Sequence, residues 1–267
     1  MKILPNNIYL GNCLELMKFI PDQSIDFICC DLPFGLTKNK WDSVIPLDLL
    51  WEQYLRIIKP NGPIILFGQD KFSAKLMLSQ EKLHRYNIIY EKTTPTGHLN
   101  ANRMPLRSHE DIMIFNTDVE AIIEHGDILI FYKKLPTYNP QKTFGHERKV
   151  STAEHKRNSK KTENYGEHGL TGYDSTERHP KSVWRFSTDK QTSAIHPTQK
   201  SLKLIEQLVK TYSNENDLGL DNCSGSGTFA EACINTNRNY ICMEQEQKYF
   251  DLSIERINTV LKNKINQ

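Results

Sequence analysis

The chain has 267 residues, 38% hydrophobic and 25% charged, with a formal net charge of +2. That length suits one large α/β domain with a smaller inserted or appended one. No stretch approaches the roughly 18 apolar residues of a membrane span, and the start MKILPNNIYLGNC lacks the long apolar core of an export signal, so a cytoplasmic protein without a membrane partner is expected. Six cysteines stand singly or as the pair Cys29-Cys30, without CxxC spacing or a partnered histidine cluster. Neither a metal site nor a disulfide framework is therefore indicated.

In chain order, residues 24–30 form a nearly continuous apolar run suited to a buried parallel strand, which delivers Asp31 to its C-terminal end. Residues 47–59 read as a helix with Leu50, Tyr54, Leu55 and Ile58 on one face, ended by Pro60-Asn61-Gly62. Strands are predicted at residues 63–68, 86–91 and 111–116. From residue 132 to 193 the pattern dissolves into polar residues with scattered Tyr and Trp, the expected small domain or long recognition loop. Order resumes at Ser201, where Leu202, Ile205, Leu208, Val209 and Tyr212 follow helical spacing. A strand at 218–221, a glycine turn, a helix at 228–236, a strand at 240–244 and a last helix bearing Phe250, Ile254, Ile257 and Leu261 complete the chain. Strand-helix alternation at both ends predicts one doubly wound sheet built from the two ends of the chain.

Charge is unevenly spread. Residues 133–161 carry nine Lys or Arg against two Glu, a net +7, so the remainder sums to about −5. A basic segment on a mildly acidic body suits contact with backbone phosphates. The blander alternative is a solvated loop.

Two motifs carry the chemistry. Asp221-Asn222-Cys223-Ser224-Gly225-Ser226-Gly227-Thr228 is a strand-to-helix turn in which missing Cβ atoms let the backbone approach a nucleotide-like ligand. Glu244, 17 residues past Gly227, stands where such folds place an acid on ribose hydroxyls. Ala230 formally completes GxGxxG/A, so the glycines alone leave a nicotinamide cofactor open. Asp31-Leu32-Pro33-Phe34 pairs an acid with an aromatic ring. An aromatic amine is a poor nucleophile because its lone pair is delocalised into the ring. Acceptors such as the Asp31 carboxylate and the Leu32 carbonyl can draw on its hydrogens while Phe34 stacks on the heterocycle.

With the acidic motif first and the glycine motif last, the chain resembles the β class of amino-group DNA methyltransferases from about residue 8 to 257. The resemblance implies a mostly parallel seven-stranded Rossmann-like sheet with an inserted, irregular target-recognition region: residues 1–131 as the catalytic half, 132–193 as the recognition region and 194–267 as the cofactor half. It implies S-adenosylmethionine as cofactor and adenine N6 in duplex DNA as acceptor. Asp31, Leu32, Pro33 and Phe34 correspond to the family's DPPY motif, with Leu32 in place of a proline and Phe34 in place of the commoner tyrosine. Asp221, Asn222, Gly225, Gly227 and Thr228 resemble its cofactor motif and Glu244 its ribose-binding acid. His196-Pro197-Thr198-Gln199-Lys200 is similar to its HPTQKP block, which helps enclose the methionine part of the cofactor. Asn12 and Cys13 resemble an element beside the adenine. DNA contacts are expected from Lys142, Arg148, Lys149, Lys156, Arg157, Lys160 and Lys161. A homodimer and a cognate restriction enzyme are partners that the resemblance leaves open.

Several alternatives stand beside this reading. They are N4 methylation of cytosine, methylation of a protein glutamine amide, which the motif order and basic segment disfavour, and a catalytically silent DNA-binding relative. Trp41 and Trp184 suit either a core anchor or a filler for the gap left by a flipped base. The polar loop at residues 97–102, with Arg103 and Arg107, suits either a DNA cleft or simple exposure.

Overall fold

A computed structural model describes residues 1–35, 42–96, 98, 101–116, 120–124, 127–131, 136–151, 173–187 and 199–265. These divide into two compact units, Met1–Asn139 with Ser182–Gln267, and Pro140–Lys181.

The larger unit begins with β1 (Asn7–Leu10), a short helix α1 (Cys13–Met17) and β2 (Phe27–Cys30). Next come α2 (Leu47–Ile57), β3 (Pro63–Gly68), α3 (Lys71–Ser79), β4 (His84–Thr96) and β5 (Arg107–Asn116), and then a hairpin of β6 (Glu120–Glu124) and β7 (Asp127–Phe131). In the smaller unit β8 (Lys149–Ser151) pairs antiparallel with β9 (Tyr173–Ser175). The larger unit continues with β10 (Val183–Phe186), α4 (Leu202–Tyr212), β11 (Leu218–Asp221), α5 (Thr228–Asn235), β12 (Asn239–Glu244) and α6 (Gln247–Ile265).

The main sheet runs β1-β12-β11-β2-β3-β5-β4-β10. It is parallel except where β5 lies antiparallel to β3 and β4. The doubly wound class is as expected, but the strand count is eight among the described residues, not seven. The additional edge strand, β10, came from the polar region where the alternation was too short to read. Trp184 on it pairs with Tyr90 and is 6% exposed, so this tryptophan is a core anchor. Trp41 lies outside the described residues.

Burial on both faces explains the unbroken apolar runs. All four residues of β2 and all six of β3 are buried. Alternate residues feed two cores: Phe27, Cys29, Ile65 and Phe67 meet α4, α5 and α6, whereas Ile28, Cys30, Ile64 and Leu66 meet α1, α2 and α3. Helix α2 stops two residues early, because Ile58 turns extended and bridges Ile25. Its buried face is Leu50, Trp51, Tyr54 and Ile57, while Leu55 is 42% exposed. Leu55 lies about 110° round the helix from the middle of that stripe, at 100° per residue, too far to share it.

Candidate active site

Strands β11 and β2 are parallel neighbours, pairing Gly219 with Phe27 and Leu220 with Ile28. From β11 the chain winds through α5 to β12, and from β2 it winds through α2 to β3 on the opposite side. Winding therefore reverses between them, and at such a switch point the C-terminal ends of the strands open a crevice. Here a cavity of about 430 Å³ is lined by both motifs, the acidic one after β2 and the glycine turn after β11. Its size suits a small ligand. The 190 residues between the motifs in sequence vanish in the fold.

On the acidic side, Leu32 is buried in the core beneath the motif. Phe34 packs against Phe72, ring centroids 4.9 Å apart. The turn is tied by the Gly35 N–H, which donates to the Asp42 carboxylate at 2.8 Å. Asp31 receives the Lys200 ammonium on Oδ2 at 2.6 Å, while its buried Oδ1 has no hydrogen-bond partner. Burial raises the Asp31 carboxyl above its ordinary pKa, against the opposing pull of Lys200. Lys200 also meets Glu110 at 3.1 Å, and Lys92 meets the other Glu110 oxygen at 2.5 Å. Burial works against ionised Glu110, but the two ammonium groups outweigh it and hold the carboxyl at about 2. Lys200, which the resemblance places around the cofactor, thus lies between the carboxylates of Asp31 and Glu110. Glu110 and Lys92 were missed by sequence reading. The one available signal was the acidic pair Glu110-Asp111 directly before the apolar run of β5.

On the glycine side, Gly227 starts α5 at φ +75°, and a Cβ there would lie 3.0 Å from the Ser253 Cβ. Only glycine takes that left-handed conformation without strain while α6 packs so closely. Glu244 binds the turn from β12: its carboxylate accepts the Gly225 N–H at 2.8 Å and the Glu246 N–H at 2.9 Å. Burial raises its pKa against those donors. Asp221 accepts the Cys223 N–H at 3.0 Å, and burial pushes its carboxyl up to about 7. The buried Asn222 accepts the Tyr54 hydroxyl at 2.5 Å. Asn12 caps α1, its side-chain oxygen accepting the Leu14 N–H at 2.9 Å. Cys13 follows it into the cavity wall, with a thiol lowered to about 7, chiefly by the Cys223 side chain. Arg256 of α6, unforeseen from sequence, donates to the Thr228 hydroxyl at 3.0 Å and the Ser226 carbonyl at 3.3 Å, and pairs with Glu231.

The donor set fits S-adenosylmethionine on this wall. Ser224 presents a buried hydroxyl without a partner, Glu244 has lone pairs left for ribose hydroxyls, and the glycines leave room for backbone approach. Gln199 is buried and lines the same cavity, whereas His196 and Thr198 lie outside the described residues.

Of the basic segment, Lys156, Arg157, Lys160 and Lys161 also lie outside the described residues. Lys142 pairs with Glu177 at 2.9 Å and Arg148 with Asp174 at 2.6 Å, both exposed pairs within the smaller unit, and Lys149 is exposed on β8. Acids that follow the segment in sequence thus offset part of the charge that composition had assigned to DNA. Arg107, at the start of β5, lines the cavity, while residues 97, 99 and 100 of the polar loop are outside the described set. No helix among the described residues is long and apolar enough to cross a membrane.

The model of a family described as DNA methylase, covering N6 and N4 methyltransferases, matches residues 25–255. Among similar proteins, "Type II methyltransferase M2.MboI" of Moraxella bovis is 28% identical, with 98% of this chain and 92% of that protein aligned. The crystal structure of an M1.HpyAVI–SAM complex superposes with a TM-score of 0.61 at 23% identity, covering 94% of this chain and 98% of the other. PvuII DNA methyltransferase, described as cytosine-N4-specific, reaches a TM-score of 0.66 at 13% identity, covering 99% and 94%. The last two share the Rossmann-like fold.

Proposed function

Since the chain belongs to the N6/N4 DNA methylase family, and is thus an S-adenosylmethionine-dependent DNA methyltransferase, we propose that it methylates N6 of adenine in duplex DNA, on a base rotated out of the stack. The observation that carries this reading is Asp31, which lines the cavity beside Phe34, with one oxygen bound by Lys200 and the other buried without a partner. The exposed part of that carboxylate group faces the cavity, where an amine hydrogen can meet it. In the β class an aspartate at this position is shared by adenine enzymes and some cytosine enzymes, whereas serine usually marks the latter, so Asp31 tilts the choice toward adenine.

S-adenosylmethionine, when bound, supplies an electrophilic methyl group. The protein's part is alignment and preorganised acceptors. The Asp31 carboxylate and the Leu32 carbonyl take the amine hydrogens and raise electron density on nitrogen. Phe34, braced from behind by Phe72, offers its face to the base. Glu244, Ser224 and the glycine turn hold the cofactor side, with Gln199 beside them. Phosphate contacts are assigned to the basic segment, including Lys149 and the four basic residues at positions 156–161. The test is nucleoside mass spectrometry of DNA methylated by the pure protein. N6-methyladenine is expected, and N4-methylcytosine in its place would overturn the base assignment while leaving the family intact.

A further inference from the structure

Four charged side chains from four segments form a row on one wall of the cavity: Asp31 after β2, Lys200 before α4, Glu110 on β5 and Lys92 on β4. The side chains of Lys92, Glu110 and Lys200 are only 9%, 9% and 11% exposed. Two ammonium groups and two carboxylates cancel, which is what makes so much buried charge tolerable. The contacts are unequal. Lys200 lies 2.6 Å from Asp31 and 3.1 Å from Glu110, and Lys92 lies 2.5 Å from Glu110. Glu110 is thus held by two cations, so it anchors Lys200 without exhausting its charge. The Lys200 ammonium also stands over the Phe67 and Phe34 rings, 5.0 and 5.8 Å from their centroids, electron-rich faces that attract it.

We infer that Lys200, anchored by Glu110, which Lys92 holds in turn, is a positioning residue for methyl transfer: it binds one oxygen of Asp31, fixes the carboxylate at the cavity wall and keeps it charged to receive the target amine. The inference rests on the reading that Asp31 meets the amine, and it moves Lys200 from the cofactor to the target side. A carboxylate accepts from an amine, whereas a protonated carboxyl can offer its own hydrogen to that amine and no longer draws on the nitrogen lone pair. Asp31 has reason to protonate. It is desolvated and faces Glu110 and Asp221, with the Cys29 and Cys30 thiols behind it; Lys200, and Lys92 beyond it, are the cations set against them.

The test is the pH dependence of methylation of duplex DNA by the full chain, with S-adenosylmethionine affinity measured by calorimetry in the same buffers. K200M is expected to slow transfer at neutral pH and to move the acidic limb of the kcat profile upward by roughly 1–3 pH units, the scale on which a contacting opposite charge lowers a carboxyl. K200R should keep the limb near wild type. E110Q removes a like charge facing Asp31 while Lys200 keeps its own, so its limb should stay or move down. Cofactor affinity should stay within a few fold in all three. A K200M limb coincident with wild type would overturn the inference, as would lost cofactor affinity with an unmoved limb. Should K200M fail to fold, K200M/E110Q, which removes one buried charge of each sign, is compared with E110Q, and the limb must again rise. D31A, which removes the acceptor, run in parallel separates the two levels. If D31A methylates substantially, the Asp31 assignment itself falls; if D31A is dead and the K200M limb is unmoved, only the role of Lys200 falls.

Discussion

Replacing Arg256 by Met tests whether the glycine turn is braced from the last helix. Arg256 donates to Glu231, to the Thr228 hydroxyl at 3.0 Å and to the Ser226 carbonyl at 3.3 Å. Its side chain is 11% exposed and that of Glu231 16%, so the pair is little screened by solvent. Methionine retains much of the apolar stem but leaves the Glu231 carboxylate desolvated and unmatched. Breaking a buried pair from one side costs about 3–5 kcal/mol, and the residual exposure argues for the lower end, about 3 kcal/mol. At roughly 2–4 °C per kcal/mol for a chain of this size, the melting temperature should fall by about 6–12 °C. E231Q should be costly too, whereas R256M/E231Q should cost less than the sum of the singles by about 1–3 kcal/mol. Urea unfolding followed by circular dichroism supplies the cycle. Cofactor titration of R256M should also show weakened binding, because Ser226 and Thr228 lose a shared donor at the turn. Additivity of the two substitutions within about 0.5 kcal/mol, or unchanged cofactor affinity, would refute the bracing.

Other expectations follow from the same site. Glu244→Ala removes the acceptor of the Gly225 and Glu246 N–H groups. Cofactor binding should weaken by roughly 1.5–3 kcal/mol, the scale of a hydrogen bond to a charged group; calorimetry showing no change would remove the ribose role. Asp221, raised from 3.8 to about 7, binds a proton in the folded state that the unfolded chain has released. Its contribution to stability is therefore fully present below about pH 4 and is lost as the pH rises toward 7, at about 1.36 kcal/mol per unit. Relative to D221N, the wild type should lose stability over that window in chemical unfolding, and parallel pH curves would exclude a buried, strongly shifted carboxyl. Replacing Lys156, Arg157, Lys160 and Lys161 by Ala should lower DNA affinity and reduce the slope of log affinity against log salt by up to about four units, with cofactor binding intact. An identical slope would mark the run as a solvated segment.

Strong local patterns were read correctly, apart from the last turn of α2 and the placing of Leu55 on its buried face. Strands β2, β3, β11 and β12 carry buried apolar runs, because strands covered on both faces need no polar alternation. The glycine turn and the acidic motif announce themselves through backbone freedom and residue chemistry. Elements of weak local pattern escaped: β1 is four residues long, α1 five, and β10 sits in a polar stretch. The segment expected to be irregular throughout contains β8, β9 and β10 among its described residues, since short strands with exposed side chains leave little periodicity.

The chemistry was legible in the sequence and its mutual geometry was not. Residue types and motif order sufficed for the fold class, the family and the cofactor, because the signals that carry them are contained in short stretches of adjacent residues. Only the tertiary structure put Lys200 against Asp31, brought Glu110 and Lys92 behind it, used Asn12 as a helix cap, and set Arg256 beneath the glycine turn. These contacts join residues 2 to 169 positions apart. Most of them depend on strand order and on which face a side chain takes, and both are decided by burying two apolar cores on opposite sides of one sheet. A charge's partner is therefore a property of the packing, and a lysine in one motif can end up paired with the carboxylate of another, as Lys200 is with Asp31.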